Sequence, residues 1–162
     1  MFFPSFVSMD FRSVRFRYTE TLSTNDLEQL RTLFEQAAFW AAGRRFEDLA
    51  KAISHSCPVV TAWHGELLIG FARATSDGVY RATIWDVVIH DDYQGVGLGR
   101  KLVETVLSHP HMSSVERVYL MTTNQQRFYQ RVGFSENTTT TMVLLNQPID
   151  DSLLRQAEEI VR

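Results

Sequence analysis

Three glycines alternate with apolar residues in a short segment whose main chain is suited to binding an anion. The segment consists of Gln94, Gly95, Val96, Gly97, Leu98 and Gly99. It follows an apolar run and precedes a helical pattern, and alternate glycines let the backbone approach a ligand without a Cβ in the way. The first N–H groups of a helix lack carbonyl partners, and the helix dipole favours negative charge there. We therefore predict a main-chain pocket for a pyrophosphate or similar anion, to which Arg100 adds charge.

Two common phosphate-binding motifs do not fit this segment. The dinucleotide fingerprint requires Gly or Ala three residues after its second glycine, where this chain has Arg100. A Walker loop requires Gly-Lys-Ser/Thr, whereas Gly99-Arg-Lys-Leu102 lacks the hydroxyl that would hold magnesium. The alternative is a glycine-rich turn that only starts a helix, although one glycine would suffice for that and three are entropically costly.

The segment and a second motif resemble the GCN5-related N-acetyltransferases. Gln-x-x-Gly-x-Gly after an apolar strand is similar to the family's coenzyme A pyrophosphate turn. The run Arg127-Phe-Tyr-Gln-Arg-Val-Gly-Phe134 is similar to its second signature, an aromatic pair followed by a polar stretch and Gly-Phe. The resemblance covers residues 14–146. Residues 69–77 and 83–88 further resemble the cyanobacterial and plastid branch, which includes plant serotonin N-acetyltransferases, so we expect a cyanobacterial source.

The resemblance implies that acetyl-coenzyme A (acetyl-CoA) is the cosubstrate and that its pantetheine arm pairs with a splayed central strand. The Val87 N–H is then the expected donor to the thioester oxygen, where it would stabilise developing charge. Many relatives carry Asn seven residues before the tyrosine of the second motif, whereas this chain has Thr122 there and Asn124 two residues later. The expected cofactor contacts are Val87, Val88, Ile89, Gln94, Gly95, Val96, Gly97, Leu98, Gly99, Arg100, Thr122, Asn124, Phe128 and Tyr129.

Two further side chains are candidates for proton transfer. Tyr129 matches the family's general acid, which protonates the departing thiolate, and its alternative role is that of a packed aromatic. Asp86 is a carboxylate in an otherwise apolar strand, which is costly to bury unless it is paired or functional. It is the candidate that takes a proton from the attacking amine, and the alternative is an ion pair with Arg73 or Arg81.

The acceptor is expected to be a primary amine that attacks directly in a ternary complex, since Cys57 belongs to neither motif. Branch resemblance suggests an aryl-alkylamine such as serotonin or tryptamine. The expected substrate residues are Trp85, Thr83, Phe39 and Trp40. Two alternatives remain open: an acetyltransferase for protein lysines or N-terminal amines, and a coenzyme A-binding interaction module without catalysis.

The elements that position these residues follow from hydrophobic periodicity. Strand patterns cover residues 14–19, 59–63, 66–74, 82–89 and 115–121, and helical patterns cover 27–39, 46–54, the stretch from Leu98 to before Pro110, and 125–131. We also predict a final hairpin from residues 134–136 and 140–145. The resemblance implies an α+β fold, an α/β/α sandwich with a mostly antiparallel mixed sheet splayed at the central strand. The boundaries are an N-terminal arm at 1–13, the N-acetyltransferase domain at 14–146 and a C-terminal amphipathic helix at 147–162.

Composition excludes several other classes of protein. Sixteen basic and nineteen acidic residues give a net charge of −3, which argues against a general nucleic-acid binder. No window reaches the length of a membrane span, and the five histidines show no metal-ligand spacing. A single cysteine, Cys57, favours a reduced cytoplasmic protein and is expected to be buried. The arm or the C-terminal helix is available for a partner or a homodimer contact.

Overall fold

The computed structural model describes residues 10–146, and the order of its helices and strands follows the predicted pattern closely. In chain order the elements are β1 Arg15–Tyr18, α1 Thr24–Ala37, α2 Phe46–Ser54, β2 Val59–His64, β3 Leu67–Ser76, β4 Arg81–Ile89, α3 Leu98–Ser108, α4 Pro110–Ser113, β5 Arg117–Tyr119 and α5 Gln126–Val132. Short 3-10 turns occupy Phe11–Ser13, Phe39–Ala41 and Asp91–Tyr93. The predicted C-terminal helix and most of the predicted arm lie outside the described residues.

The five strands form one sheet in the order β1-β2-β3-β4-β5. The first four strands are antiparallel to their neighbours, and β5 is parallel to β4. Because successive side chains of a strand point to opposite faces, Val59 and Val60 of β2 belong to different cores. One core lies under α3 and the other under α1 and α2. The predicted α+β fold with helices on both faces of a mixed sheet is confirmed.

An irregularity in β4 separates its two halves. Trp85 pairs with Arg73 and Val88 pairs with Phe71, so that Asp86 and Val87 together oppose Ala72. This is a β-bulge, and Asp86 has a φ of 55°, in the left-handed region that few non-glycine residues adopt. Parallel pairing with β5 stops at Thr83, so residues 84–89 have no strand partner on that side within the described range. The expected splay at the central strand is therefore present.

The predicted final hairpin is wrong. Residues 134–136 and 140–145 form no strand, and the consecutive apolar side chains of Met142, Val143, Leu144 and Leu145 are exposed. The physical reason is the shortness of β5, which has three residues where seven are predicted and so gives a further strand little edge to pair with.

The structure also adds one short helix and corrects one expectation about burial. Pro110 ends the α3 pattern as expected, but it also begins the short helix α4, because its fixed φ suits the first position of a helix. Cys57 is exposed rather than buried. It lies in the connection between α2 and β2, outside both hydrophobic cores of the described residues.

Candidate active site

The turn between β4 and α3 has the geometry of an anion cradle. Gly95 and Gly97 have φ angles of 78° and 89°, and a Cβ built on either would meet nothing within 4 Å. Gly97 is the N-cap of α3, and within residues 10–146 it provides no side-chain cap for the first N–H groups of that helix. The first main-chain bond of the helix runs from the Lys101 N–H to the Gly97 carbonyl at 3.1 Å. The preceding amides of Leu98, Gly99 and Arg100 therefore form a main-chain cradle that suits an anion such as a phosphate.

Side chains fasten this turn to the end of β4. The Gln94 Nε2 group donates to the Ile89 carbonyl at 2.9 Å and to Asp91 Oδ1 at 3.1 Å. A Cβ at Gly99 would lie 3.5 Å from the Phe128 ring and 3.8 Å from Ile89, so α3 begins in close contact with α5 and β4. Gln94 thus fastens the turn to the end of β4, and at Gly99 the start of α3 lies close to Phe128 and Ile89.

The expected cofactor residues of β4 lie on the unpaired half of that strand. Val88 and Ile89 pair with β3 on one side, and Val87 belongs to the bulge. On the other side β5 offers no partner beyond Thr83, which leaves an edge between β4 and β5 that suits an extended ligand. Arg100 stands at the mouth of the turn, where its Nε pairs with Glu104 at 2.7 Å and both side chains are exposed.

Tyr129 lies on α5, close to the start of α3. Its ring packs edge-on against Phe128 and Phe134, with centroid distances of 4.9 and 6.0 Å. Burial raises the pKa of the Tyr129 hydroxyl above its ordinary value, because the ionised form loses solvation. The hydroxyl is therefore protonated at neutral pH. Within residues 10–146 it makes no hydrogen bond to another side chain or carbonyl, which leaves its O–H available as a donor.

Thr122 and Asn124 lie at the start of α5 but in different surroundings. Thr122 is half-buried, and its Oγ1 accepts a hydrogen bond from the Gln125 N–H at 3.1 Å. Asn124 is exposed. The Thr122 hydroxyl is thus engaged in the turn before α5, whose N-cap is Gln125.

Asp86 is held by two arginines on the face of the sheet opposite α3. Its side chain is only 7% exposed, and Oδ2 accepts from Arg73 Nε at 2.7 Å and lies 3.0 Å from Arg44 Nη1. The ion pair with Arg73 considered from the sequence is present, whereas Arg81 pairs with Glu116 at 3.1 Å instead. Sequence reasoning missed Arg44, which lies in the irregular connection before α2 and belongs to no motif.

The expected substrate residues fall into two groups. Thr83 and Trp85 lie on the same face of β4 as Asp86, and Trp85 Nε1 donates to Thr75 Oγ1 at 2.9 Å. Phe39 and Trp40 are partly exposed in a 3-10 turn after α1, with ring centroids 5.3 Å apart. In the described part of the chain neither of these two rings stacks on Trp85, and Arg44, three residues after the turn, forms an ion pair with Asp86 of β4.

A separate cavity of about 450 Å³ lies along β5, lined by β5, α5 and residues 134–137. Tyr129 and Thr122 belong to its wall, but no residue of β4 or of the glycine turn does. Among residues 10–146 no cluster of His, Cys, Asp and Glu is placed to hold a metal ion. No helix in the same range has the length and apolar character needed to cross a membrane.

Comparisons with known proteins agree with this geometry. The acetyltransferase (GNAT) family matches residues 27–134. An uncharacterized ycf52-like N-acetyltransferase from Prochlorococcus marinus is 39% identical over 125 residues, which cover 74% of this chain and 67% of that protein. A soybean protein described as histone acetyltransferase TAP1 is 43% identical over 68 residues, covering 41% of this chain and 29% of its own.

A solved structure shows the same fold. A GNAT-family acetyltransferase from Streptococcus pneumoniae superposes with a TM-score of 0.70 and 23% identity, covering 83% of this chain and 99% of that one. The family match spans both predicted motifs, and the relatives include cyanobacterial and plant proteins, as the resemblance predicted. This chain belongs to the GNAT family and is an acetyltransferase.

Proposed function

We propose that this chain binds acetyl-CoA along the open edge of β4 and transfers the acetyl group to a primary amine by direct attack. The observation that carries the proposal is the continuity between the unpaired half of β4 and the turn of uncapped amides that follows it. An extended ligand with a pyrophosphate at one end matches both features. Acetyl-CoA supplies an activated thioester, and the chain's own residues bind and orient it.

The proposed contacts follow from the site. The turn amides hold the pyrophosphate with help from Arg100, and Val87, Val88 and Ile89 hold the pantetheine arm through the main chain. The Val87 N–H donates to the thioester oxygen, where negative charge develops as the amine attacks. A preset donor at such a position is worth about 3 kcal/mol of barrier.

Tyr129 provides the proton that the leaving sulfur needs. The new N–C bond forms as the C–S bond breaks, and Tyr129 Oη passes its proton to the departing sulfur. A proton released by the nitrogen restores the hydroxyl, so the sum of protons is unchanged. The raised pKa of Tyr129 keeps the donor form populated at neutral pH.

Asp86 receives the acceptor's ammonium group. Both arginines contact Oδ2, and within residues 10–146 Oδ1 accepts no hydrogen bond. Oδ1 is therefore the atom that takes the amine proton, directly or through water. Asp86 adjoins Val87 in the bulge, so the amine would be delivered next to the proposed carbonyl donor.

Two classes of acceptor are proposed in order. A small amine that carries an aromatic ring on an alkyl chain comes first, the class that includes serotonin, tryptamine and their amino-acid relatives, with Trp85 and Thr83 on the wall of the acceptor site and Phe39 and Trp40 at its entrance. A protein lysine or N-terminal amine comes second, favoured by the likeness to the soybean protein described as a histone acetyltransferase. A cytoplasmic location and a homodimer stay predictions.

Release of free thiol from acetyl-CoA tests the proposal. Purified chain would be assayed with tryptophan, tryptamine, serotonin, a polyamine, a lysine peptide and a peptide with a free N-terminus, while calorimetry measures acetyl-CoA binding. We expect turnover with at least one amine and acetyl-CoA binding that does not depend on it. Binding without turnover across the panel would contradict catalysis and leave the coenzyme A-binding module, and absence of binding would contradict the cofactor site.

A further inference from the structure

Two cations and one anion meet at the bulge of β4. Asp86 Oδ2 lies 2.7 Å from Arg73 Nε and 3.0 Å from Arg44 Nη1. Within residues 10–146 neither guanidinium contacts a second carboxylate within 4.0 Å, so the cluster carries a net positive charge. The positive charge of the cluster lies beside Asp86, the residue proposed to receive the ammonium group. A second arginine at this place does not stabilise a bound acceptor whose only charge is positive.

The two arginines differ in how firmly they are held. Arg73 is mostly buried, and its guanidinium donates to both Asp86 and Ser56 and lies over the Trp85 ring. Arg44 is 35% exposed and has the Asp86 ion pair and the Phe34 ring as its contacts in the described range. Of the five N–H donors of a guanidinium, most of those on Arg44 have no partner among residues 10–146. Arg44 is thus the cation that can bind a ligand.

We propose that Arg44 binds a carboxylate that the acceptor carries close to its amine, which makes an aromatic α-amino acid the preferred acceptor class. This inference rests on the proposed function, because it names the acceptor of the same site. The ammonium faces Asp86 Oδ1 and the carboxylate faces the free donors of Arg44. Such an arrangement complements both charges of an amino acid, and Trp85 on the same face of β4 would border its ring. A peptide whose N-terminal residue is acidic presents the same pair of groups and is the second source of this chemistry.

Pairs of acceptors that differ by one carboxylate isolate the contribution of that group to binding and turnover. Tryptophan and tryptamine share a ring and an amine and differ in the carboxylate alone, and peptides beginning with Glu or Gln form a second such pair. For the full chain we would measure kcat/KM for each acceptor and, by calorimetry in the presence of coenzyme A, the Kd of tryptophan and tryptamine. We expect the wild-type chain to prefer the carboxylate member, mainly through KM and Kd. A preference for tryptophan over tryptamine identifies a free amino acid as the acceptor. A preference that is confined to the peptide beginning with Glu over the one beginning with Gln identifies a peptide as the acceptor.

A variant then assigns that preference to one residue. Arg44→Gln should reduce the tryptophan-to-tryptamine ratio of kcat/KM and of binding constants by about 10- to 100-fold, the size of a charge-assisted hydrogen bond. Arg44→Lys keeps the charge but loses the planar fork, and should give an intermediate ratio. Arg45→Gln is the matched control, since Arg45 is exposed, pairs with Glu47 and does not contact Asp86.

The outcomes separate this inference from the proposed function. Acetyl transfer to tryptamine with no preference for either carboxylate member in the wild-type chain would overturn the inference and leave the function intact. An Arg44→Gln variant that keeps the wild-type ratio would also overturn it. A wild-type preference is measurable without any variant, so a failure of Arg44→Gln to fold does not remove the test. Binding of coenzyme A without transfer to any amine would instead contradict the proposed function.

Discussion

The candidate binding surfaces on the two sides of β4 consist of different chemical groups, main-chain amides on one side and charged side chains on the other. On the cofactor side the candidate contacts are main-chain amides of one short turn, and side chains such as Gln94 hold the turn from behind. On the proposed acceptor side the candidate contacts are the charged groups of Arg44 and Asp86, with Arg73 holding Asp86 in place, and these residues come from three separate segments. A binding surface made of main-chain amides can form in any sequence that has glycine at the right positions. A binding surface made of side chains can acquire a different ligand specificity through single substitutions. This difference predicts a common cofactor and a variable acceptor within the family.

The most severe test of the cofactor side is Gly97→Val. Gly97 has a φ of 89°, which a β-branched residue resists, and the new side chain would fill the space above the uncapped amides. We expect acetyl-CoA binding to fall more than about 100-fold, equal to roughly 2.7 kcal/mol, as measured by calorimetry.

Gly65→Val controls for the backbone strain in that experiment. Gly65 has a φ of 60° in the turn between β2 and β3, where a Cβ also meets nothing within 4 Å. Both substitutions should lower the melting temperature, but only the change at Gly97 should affect the cofactor. Equal loss of binding in the two variants would show that strain, rather than the cradle, is responsible.

Tyr129→Phe tests the residue proposed to act between the two sides. Removing a general acid should lower kcat by about 10²- to 10⁴-fold, while the Kd of acetyl-CoA changes little because the ring is retained. Tyr119→Phe is the matched control, since Tyr119 lines the same cavity and has no proposed role. Similar kcat values for the two variants would remove the acid role from Tyr129.

The pH profile sharpens this test. Burial raises the pKa of Tyr129, and the proposed acid acts in its protonated form, so the donor persists as pH rises to its folded pKa. The alkaline fall in kcat should therefore lie above the ordinary tyrosine pKa of about 10 and be absent in Tyr129→Phe. A fall at the same pH in both proteins would assign it to another group.

The same contrast explains what the sequence could predict. The glycine turn and the motif at Tyr129 are local patterns, and their positions beside β4 follow from strand-helix order alone. Asp86 was recognisable as a carboxylate among apolar residues, and one of its partners was named correctly. Arg44 gave no signal because its role depends on how the connection before α2 folds back onto β4. The final hairpin was predicted from the local composition of residues 134–136 and 140–145, but pairing depends on a neighbouring edge, and β5 is too short to provide one.

On the acceptor side, Asp86→Asn should reduce the free energy of unfolding by about 3 kcal/mol, because it leaves a mostly buried Arg73 without its anion. Asn tolerates the left-handed backbone at this position, so the change isolates the charge. Urea unfolding measures the loss, and adding Arg44→Gln to the same chain should restore part of it by removing one unpaired cation.

Glu116→Gln is the comparison for Asp86→Asn. It breaks the ion pair with Arg81, in which both side chains are about half exposed, and exposed pairs contribute less than about 1 kcal/mol. If Glu116→Gln lowered the free energy of unfolding as much as Asp86→Asn, burial would not distinguish the two ion pairs. The cluster at the bulge would then stabilise the fold no more than an exposed ion pair does.

The smallest expected effect on acetyl-CoA binding comes from removing the Gln94 side chain behind the turn. Gln94→Ala removes hydrogen bonds to the Ile89 carbonyl and Asp91, each worth about 1 kcal/mol in net terms, but leaves every amide of the turn present. We expect calorimetry to show acetyl-CoA binding weakened by about 3- to 10-fold, far less than in Gly97→Val. Gln126→Ala is the matched control, because it removes a similar bond to the Thr123 carbonyl away from the turn. If Gln94→Ala abolished binding as completely as Gly97→Val, the cofactor would depend on a side chain, and the contrast between the two sides of β4 would fail.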